Sequence, residues 1–205
     1  MTTTLPRRLF MTSGPKDSRA VTLTYDDGPH PEHTPRLLDR LKAHGIRATF
    51  FLLGAQAERH PDIVRRIAAE GHDVGHHSYT HGDPETTSWS TLAAEARRAA
   101  QLMESLIGRS PHLFRPPHGK ITAGKALALW TLRQTIVLWN QDPKDYCCGS
   151  ADALRAWFSG RVLAGGDVIL LHDVHPYAAD ALDAMVDRVN AVGLGFCRVS
   201  DWVRA

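Results

Sequence analysis

The sequence predicts a single α/β domain built on parallel strands, curled into an incomplete barrel or opened as a doubly wound sheet. Two observations carry this. Short apolar runs bounded by Gly, Pro or Asp alternate with longer stretches of helical periodicity, and short links between them favour right-handed crossovers. The polar clusters fall at the carboxyl ends of the apolar runs, the face on which parallel sheets and barrels carry their sites. A length of 205 residues suits one such domain and leaves no room for two sizeable ones.

In chain order, residues 1–18 read as an irregular arm and residues 19–205 as the folded domain. Strands are predicted at 20–25, 47–53, 72–76, 112–115, 135–139, 167–172 and 195–199. A helix over 34–44 puts Leu37, Leu38 and Leu41 on one face and stops at Gly45. Pro61 opens a second helix carrying Ile63, Val64 and Ile67, and Gly71 ends it. A third, over 91–107, spaces Leu92, Ala96, Ala99, Met103 and Leu106 helically and closes at Gly108. Weaker versions of the pattern cover 151–158 and 178–192.

Composition excludes several classes. With 43% hydrophobic and 22% charged residues the chain is an ordinary folded protein. Its 24 Lys+Arg against 22 Asp+Glu are scattered, so no nucleic-acid partner is expected. The cysteines, Cys147, Cys148 and Cys197, form neither a disulfide framework nor a C-x-x-C thiolate site, which suits a reduced compartment. No apolar leader follows Arg7-Arg8, and no run approaches the ~18 apolar residues of a membrane span. The expected location is cytoplasmic.

Twelve histidines are the compositional oddity, and four of them, His72, His76, His77 and His81, lie within ten residues. His77 and His81 are four apart; on a helical turn both would face one divalent ion. His72 and His76 share that spacing but fall inside a predicted strand, where residues four apart lie far from each other along the chain. Two histidines need a carboxylate to complete an open catalytic site, and Asp26-Asp27-Gly28-Pro29 offers two in a tight turn. One would hold the ion and the other would be free to take a proton from water. Arg115, in Arg115-Pro-Pro-His-Gly119, could clamp a carboxylate, and the rigid loop presents backbone N–H groups suited to an oxyanion. His172, closing an apolar strand, could act as acid to a leaving amine. Asp142 could hydrogen-bond it and raise its pKa.

Together these segments resemble the polysaccharide deacetylase family, the NodB-homology domain of chitooligosaccharide-deacetylase-like carbohydrate esterases. The likeness spans about residues 21–199. It rests on Thr24-Tyr-Asp-Asp-Gly-Pro29, Ala48-Thr-Phe-Phe51, Gly71-His-Asp-Val-Gly-His-His-Ser-Tyr-Thr-His81, Arg115-Pro-Pro-His-Gly119, Asp142-Pro-Lys-Asp-Tyr146 and Leu170-Leu-His-Asp173. The resemblance implies a distorted, incomplete (β/α)7 barrel and metal-dependent hydrolysis of N-acetyl groups on an amino-sugar oligo- or polysaccharide. It implies Asp26 as base, Asp27, His77 and His81 as ligands of a divalent metal, and His172 as acid. The metal expected first is zinc, with cobalt, nickel and iron as alternatives. Arg115 would hold Asp26 and Asp142 would tune His172. A backbone N–H near His118 would face the oxyanion, and Tyr146 and Leu170 would line the acetyl pocket. Tyr25, His76, His118 and Tyr146 depart from the family pattern; they alter the pocket wall and leave each residue of metal binding and proton transfer in place. Alternatives within the sequence reading are an O-acetyl ester or another amide as substrate, or an inactive carbohydrate-binding homologue.

Overall fold

The computed structural model of the chain describes residues 5–203. Its strands are β1 (Phe10–Met11), β2 (Ala20–Asp26), β3 (Thr49–Leu52), β4 (Asp73–His76), β5 (Leu113–Phe114), β6 (Thr135–Val137), β7 (Val168–His172) and β8 (Gly195–Phe196). They form one parallel sheet in the order β1-β6-β5-β4-β3-β2-β7, with β8 also beside β2. The chain beyond β6 returns to β7: Gln141 bridges Ile169, and Leu170 N donates to Gln141 O at 2.9 Å. The sheet therefore curls until the chain just past β6 meets the first half of β7, giving the expected incomplete barrel.

Helices α1 (His33–Ala43), α2 (Gly54–Arg59), α3 (Pro61–Ala69), α4 (Trp89–Ile107), α5 (Ala123–Thr131), α6 (Asp145–Cys148), α7 (Ala151–Gly160), α8 (Tyr177–Ala191) and α9 (Val199–Val203) complete the fold. The five helices expected from periodicity are all present within two residues of their predicted starts and ends. Their apolar stripes face the sheet: Leu37, Leu38 and Leu41 of α1, and Leu182, Met185 and Val189 of α8, join Leu23, Tyr25 and Leu171 in the largest core cluster. A second cluster fills the barrel itself. Met11, Phe51, Leu113, Val137 and Val168 come from five different strands, and Val199 and Trp202 of α9 pack beneath them. Helix α9 is tied to the amino ends of the strands, because Val199 N donates to Thr49 Oγ1 and Ser200 N to Asp73 Oδ2. One mouth of the barrel is thus plugged, and the carboxyl mouth is left for the site.

Two expectations are corrected. The arm is not wholly irregular: Phe10 and Met11 pair with Ile136 and Val137 as an eighth strand, and Gly14 N then donates to Gly166 O ahead of β7. These two apolar residues extend the sheet past β6, its edge on that side. The predicted strand 195–199 is only two residues of strand, since Val199 opens α9. Among the described residues, no helix is long and apolar enough to cross a membrane.

Candidate active site

Asp26 is the last residue of β2, paired in register with His172 on β7 and Phe51 of β3. Beneath it lies Arg115, fully buried. Its Nη1 donates to Asp26 Oδ1 and Thr24 Oγ1, each at 2.7 Å, Nε to Val137 O at 3.2 Å and Nη2 to Leu138 O at 3.1 Å. The guanidinium carbon also sits 4.2 Å from the centre of the Phe51 ring. A buried charge is tolerable only with such partners, and losing one would strand the other. Burial raises the Asp26 carboxyl above its ordinary pKa, while the Arg115 charge pulls against that rise.

Asp27, His77 and His81 converge beside it. Asp27 and His81 both have left-handed backbone, φ 72° and 60°, as does Ser78 at 66°. The His77–His81 segment is therefore a sharply bent loop, not the helical turn its spacing suggested. Ser78 Oγ, accepting from His81 N at 3.0 Å, closes it. Asp27 Oδ1 lies 3.7 Å from His77 Nε2 and 3.6 Å from His81 Nε2. A tetrahedral ion with bonds near 2.0–2.2 Å wants neighbouring donors roughly 3.3–3.6 Å apart. The same Asp27 oxygen is buried without a hydrogen-bond partner, an expensive omission unless a cation satisfies it. The Arg115 carbonyl accepts from His77 Nδ1 at 2.7 Å, which leaves the Nε2 lone pair facing Asp27. Burial pushes the His77 imidazole down to about 3, so it is neutral, as a ligand must be. Two imidazoles and one carboxylate with space beside them suit zinc or another first-row divalent ion.

The second histidine pair has other partners. His72 Nδ1 accepts from Ala48 N at 3.0 Å, and His76 Nε2 lies 3.0 Å from Gln134 Oε1; both residues are buried.

His172 meets a different acid from the one expected. Asp145, not Asp142, takes its Nδ1 at 2.8 Å and its backbone N–H at 2.7 Å. Lys144 adopts left-handed backbone, φ 55°, and turns Asp145 inward, where it is buried. Asp142 is used locally: it accepts from Lys144 N at 2.8 Å, and the Tyr146 hydroxyl lies 3.5 Å away. Burial alone would lower the His172 pKa, but the Asp145 hydrogen bond and charge, with Asp26 and Asp27, outweigh it and push it up to about 9.

These groups open onto one cleft of about 320 Å³, with the other expected wall residues around it. Leu170 is buried in its lining, and the half-exposed Tyr146 ring stands edge-to-face with that of His172, centroids 5.3 Å apart. The His118 ring stands 4.7 Å from that of His81. Three contributors were not foreseen in their roles. Trp139, which reads as the end of a strand, walls the cleft so closely that a Cβ on Gly119 (φ 67°) would lie 2.6 Å from its ring. Asp145 is the acid on His172. Asp173 packs under the Asp27-Gly28-Pro29 turn, with Thr34 Oγ1 donating to it at 2.5 Å.

Known proteins share this design. The model of the family described as "Polysaccharide deacetylase" matches residues 13–134. A peptidoglycan-N-acetylglucosamine deacetylase of Bacillus cereus is 37% identical over 90% of this chain and 68% of its own length. The peptidoglycan-N-acetylglucosamine deacetylase PgdA of Listeria monocytogenes is 32% identical over 91% of this chain, which spans only 39% of that protein. The crystal structure of the Bc1960 peptidoglycan N-acetylglucosamine deacetylase superposes with a TM-score of 0.91 at 34% identity, covering 96% of this chain and 94% of that one. Barrel, motif order and sequence likeness agree: the chain belongs to the polysaccharide deacetylase family.

Proposed function

We propose that the chain is a metal-dependent amidase that removes N-acetyl groups from an amino-sugar oligo- or polysaccharide and releases acetate. The observation that carries this reading is the convergence, in one cleft, of a three-donor cradle with two proton-transfer groups held apart by separate buried partners. Asp27, His77 and His81 would hold the ion. A divalent ion bound there supplies Lewis acidity and makes water acidic enough to be deprotonated near neutral pH.

This chain's own groups do the rest. Asp26, oriented by Arg115 and made more basic by burial, takes a proton from the attacking water. The water oxygen bonds to the acetamide carbonyl carbon, and a backbone N–H near His118 faces the developing oxyanion. The C–N bond then breaks as His172, held by Asp145, gives its proton to the departing sugar nitrogen. Acetate and a free amino sugar result. Leu170, Tyr146 and Trp139 enclose the acetyl methyl and keep bulk water off the reacting carbon. Amino-sugar polymers are the substrate class because relatives carry peptidoglycan and chitooligosaccharide deacetylase names. A cytoplasmic location is a separate proposal, checked by fractionating cells that make the natural protein.

The test is acetate release from a short N-acetylglucosamine oligomer, with protein stripped of metal and then reloaded with zinc or cobalt. Release only after reloading supports the reading. Stoichiometric metal without release, alongside turnover of an O-acetyl ester, would replace the amide with an ester as substrate.

A further inference from the structure

Two chain segments leave the cleft side by side. One runs from His81 to Trp89 at the start of α4, the other from His118 through Ile121 into α5. Lys120 Nζ and Glu85 Oε1 join them at 3.1 Å, and buried Lys125 Nζ donates to Pro84 O at 2.5 Å. Between them lies a depression of about 600 Å³ that Trp89 helps to line. A second depression, of about 430 Å³, shares Trp89 and Gly124 with the first and continues along α5 past Leu127. Residues 118–132 thus border, in sequence order, the cleft and both depressions.

Trp89 is the only one of the five tryptophans that is exposed, at 62%; the other four are buried or half-buried. Leu127, across the second depression, is 61% exposed. Trp89 and Leu127 line one depression, and a contiguous exposed apolar patch next to a site marks a ligand groove or an interaction surface. The surroundings specify the ligand's chemistry. Trp89 shares this depression with Thr87, Ser88, Glu85, Lys120 and Thr122, so an aromatic surface for an apolar ring face lies beside polar groups able to meet hydroxyls, although Glu85 and Lys120 also pair with each other and Ser88 and Thr122 cap helices. A pyranose has both. The track begins where the first sugar must sit, so its occupant is a further part of the same chain.

We propose that Trp89 is the stacking platform of a distal sugar subsite, and that the groove between residues 82–89 and 118–125 seats an extended N-acetylated glycan. The inference rests on the deacetylase reading and deepens it: the protein is selective for long chains. The subsite places no group on the reacting carbon; it adds affinity for sugars several units from the one being deacetylated.

The experiment compares wild type with Trp89→Ala and Trp89→Phe on N-acetylglucosamine oligomers from dimer to hexamer. The ratio of kcat/KM for hexamer to that for dimer is expected to fall at least tenfold in Trp89→Ala, mainly through KM, and to recover largely in Trp89→Phe. An unchanged ratio overturns the proposal. Calorimetric binding of the hexamer to the same proteins is read in parallel, so that absence of acetate release, which would sink the activity, leaves the subsite decidable. Equal hexamer affinity in wild type and Trp89→Ala rejects it. Sedimentation completes the test: a wild-type dimer that Trp89→Ala dissociates would assign the patch to a second copy and overturn the glycan subsite.

Discussion

His72/His76 and His77/His81 are two histidine pairs of identical spacing, adjacent in sequence, with opposite fates. The first pair lies just before β4 and at its last residue, and each imidazole there meets a structural partner, the Ala48 N–H or the Gln134 amide. The second begins one residue after the strand ends, in a loop bent by left-handed Ser78 and His81, and both rings turn toward Asp27. Spacing alone does not make a metal pair; the backbone between the residues decides whether they converge. The same lesson holds for Asp142 and Asp145, three residues apart, where left-handed Lys144 sends one acid to the surface loop and the other to His172.

The largest effect should come from breaking the second pair. His77→Ala or His81→Ala is expected to lose stoichiometric metal and to drop acetate release to background, checked by elemental analysis beside the acetate assay. Asp26→Asn should keep its metal and lose turnover by about 10²–10⁴-fold, the range for removing a general base. Parental rates in that variant would reassign the base. The two acids give a sharper contrast. Asp145→Asn should cost on the order of 10²-fold on an N-acetyl substrate and much less on an activated aryl acetate, whose leaving group needs no proton. Asp142→Asn should stay within about threefold on both, since its partners are local. Equal losses would put Asp142 back beside His172.

The smallest effect concerns stability. Burial lowers the His72 pKa to about 4 against an ordinary 6.5, so between those values the unfolded chain binds the proton that the folded one refuses. Stability should therefore fall as pH drops from 6.5 towards 4. Denaturant midpoints at pH 7 and 4.5 would show the decline, and His72→Asn should make it shallower, with buried His76 and His77 supplying the remainder, while leaving metal content unchanged.

Much of this was legible in the residues. Short apolar strands and the helix stripes stood out because burial on a sheet or against it demands those periods. Phe10–Met11 did not, since two apolar residues beside Arg7 and Arg8 carry no period, and only their pairing with the free edge of β6 makes them a strand. Helix α2 opens on Gly54 and lasts six residues, and α5 contains Gly124; neither offers a strong helical signal. In the site, Asp26, Asp27, His77, His81, Arg115 and His172 were readable from motif and order. Asp145 and Trp139 were not, because a single left-handed residue and the curl of β6 decide where they point.

Asp27, His77 and His81, and not His72 and His76, are proposed to hold the metal that acetate release needs. Bound zinc per chain, measured in His77→Gln/His81→Gln and in His76→Gln after identical stripping and reloading, tests it most directly. No zinc should be retained in the first and one ion per chain in the second, with acetate release following the metal. One ion retained in the double variant, or its loss in His76→Gln that remains folded, would contradict it.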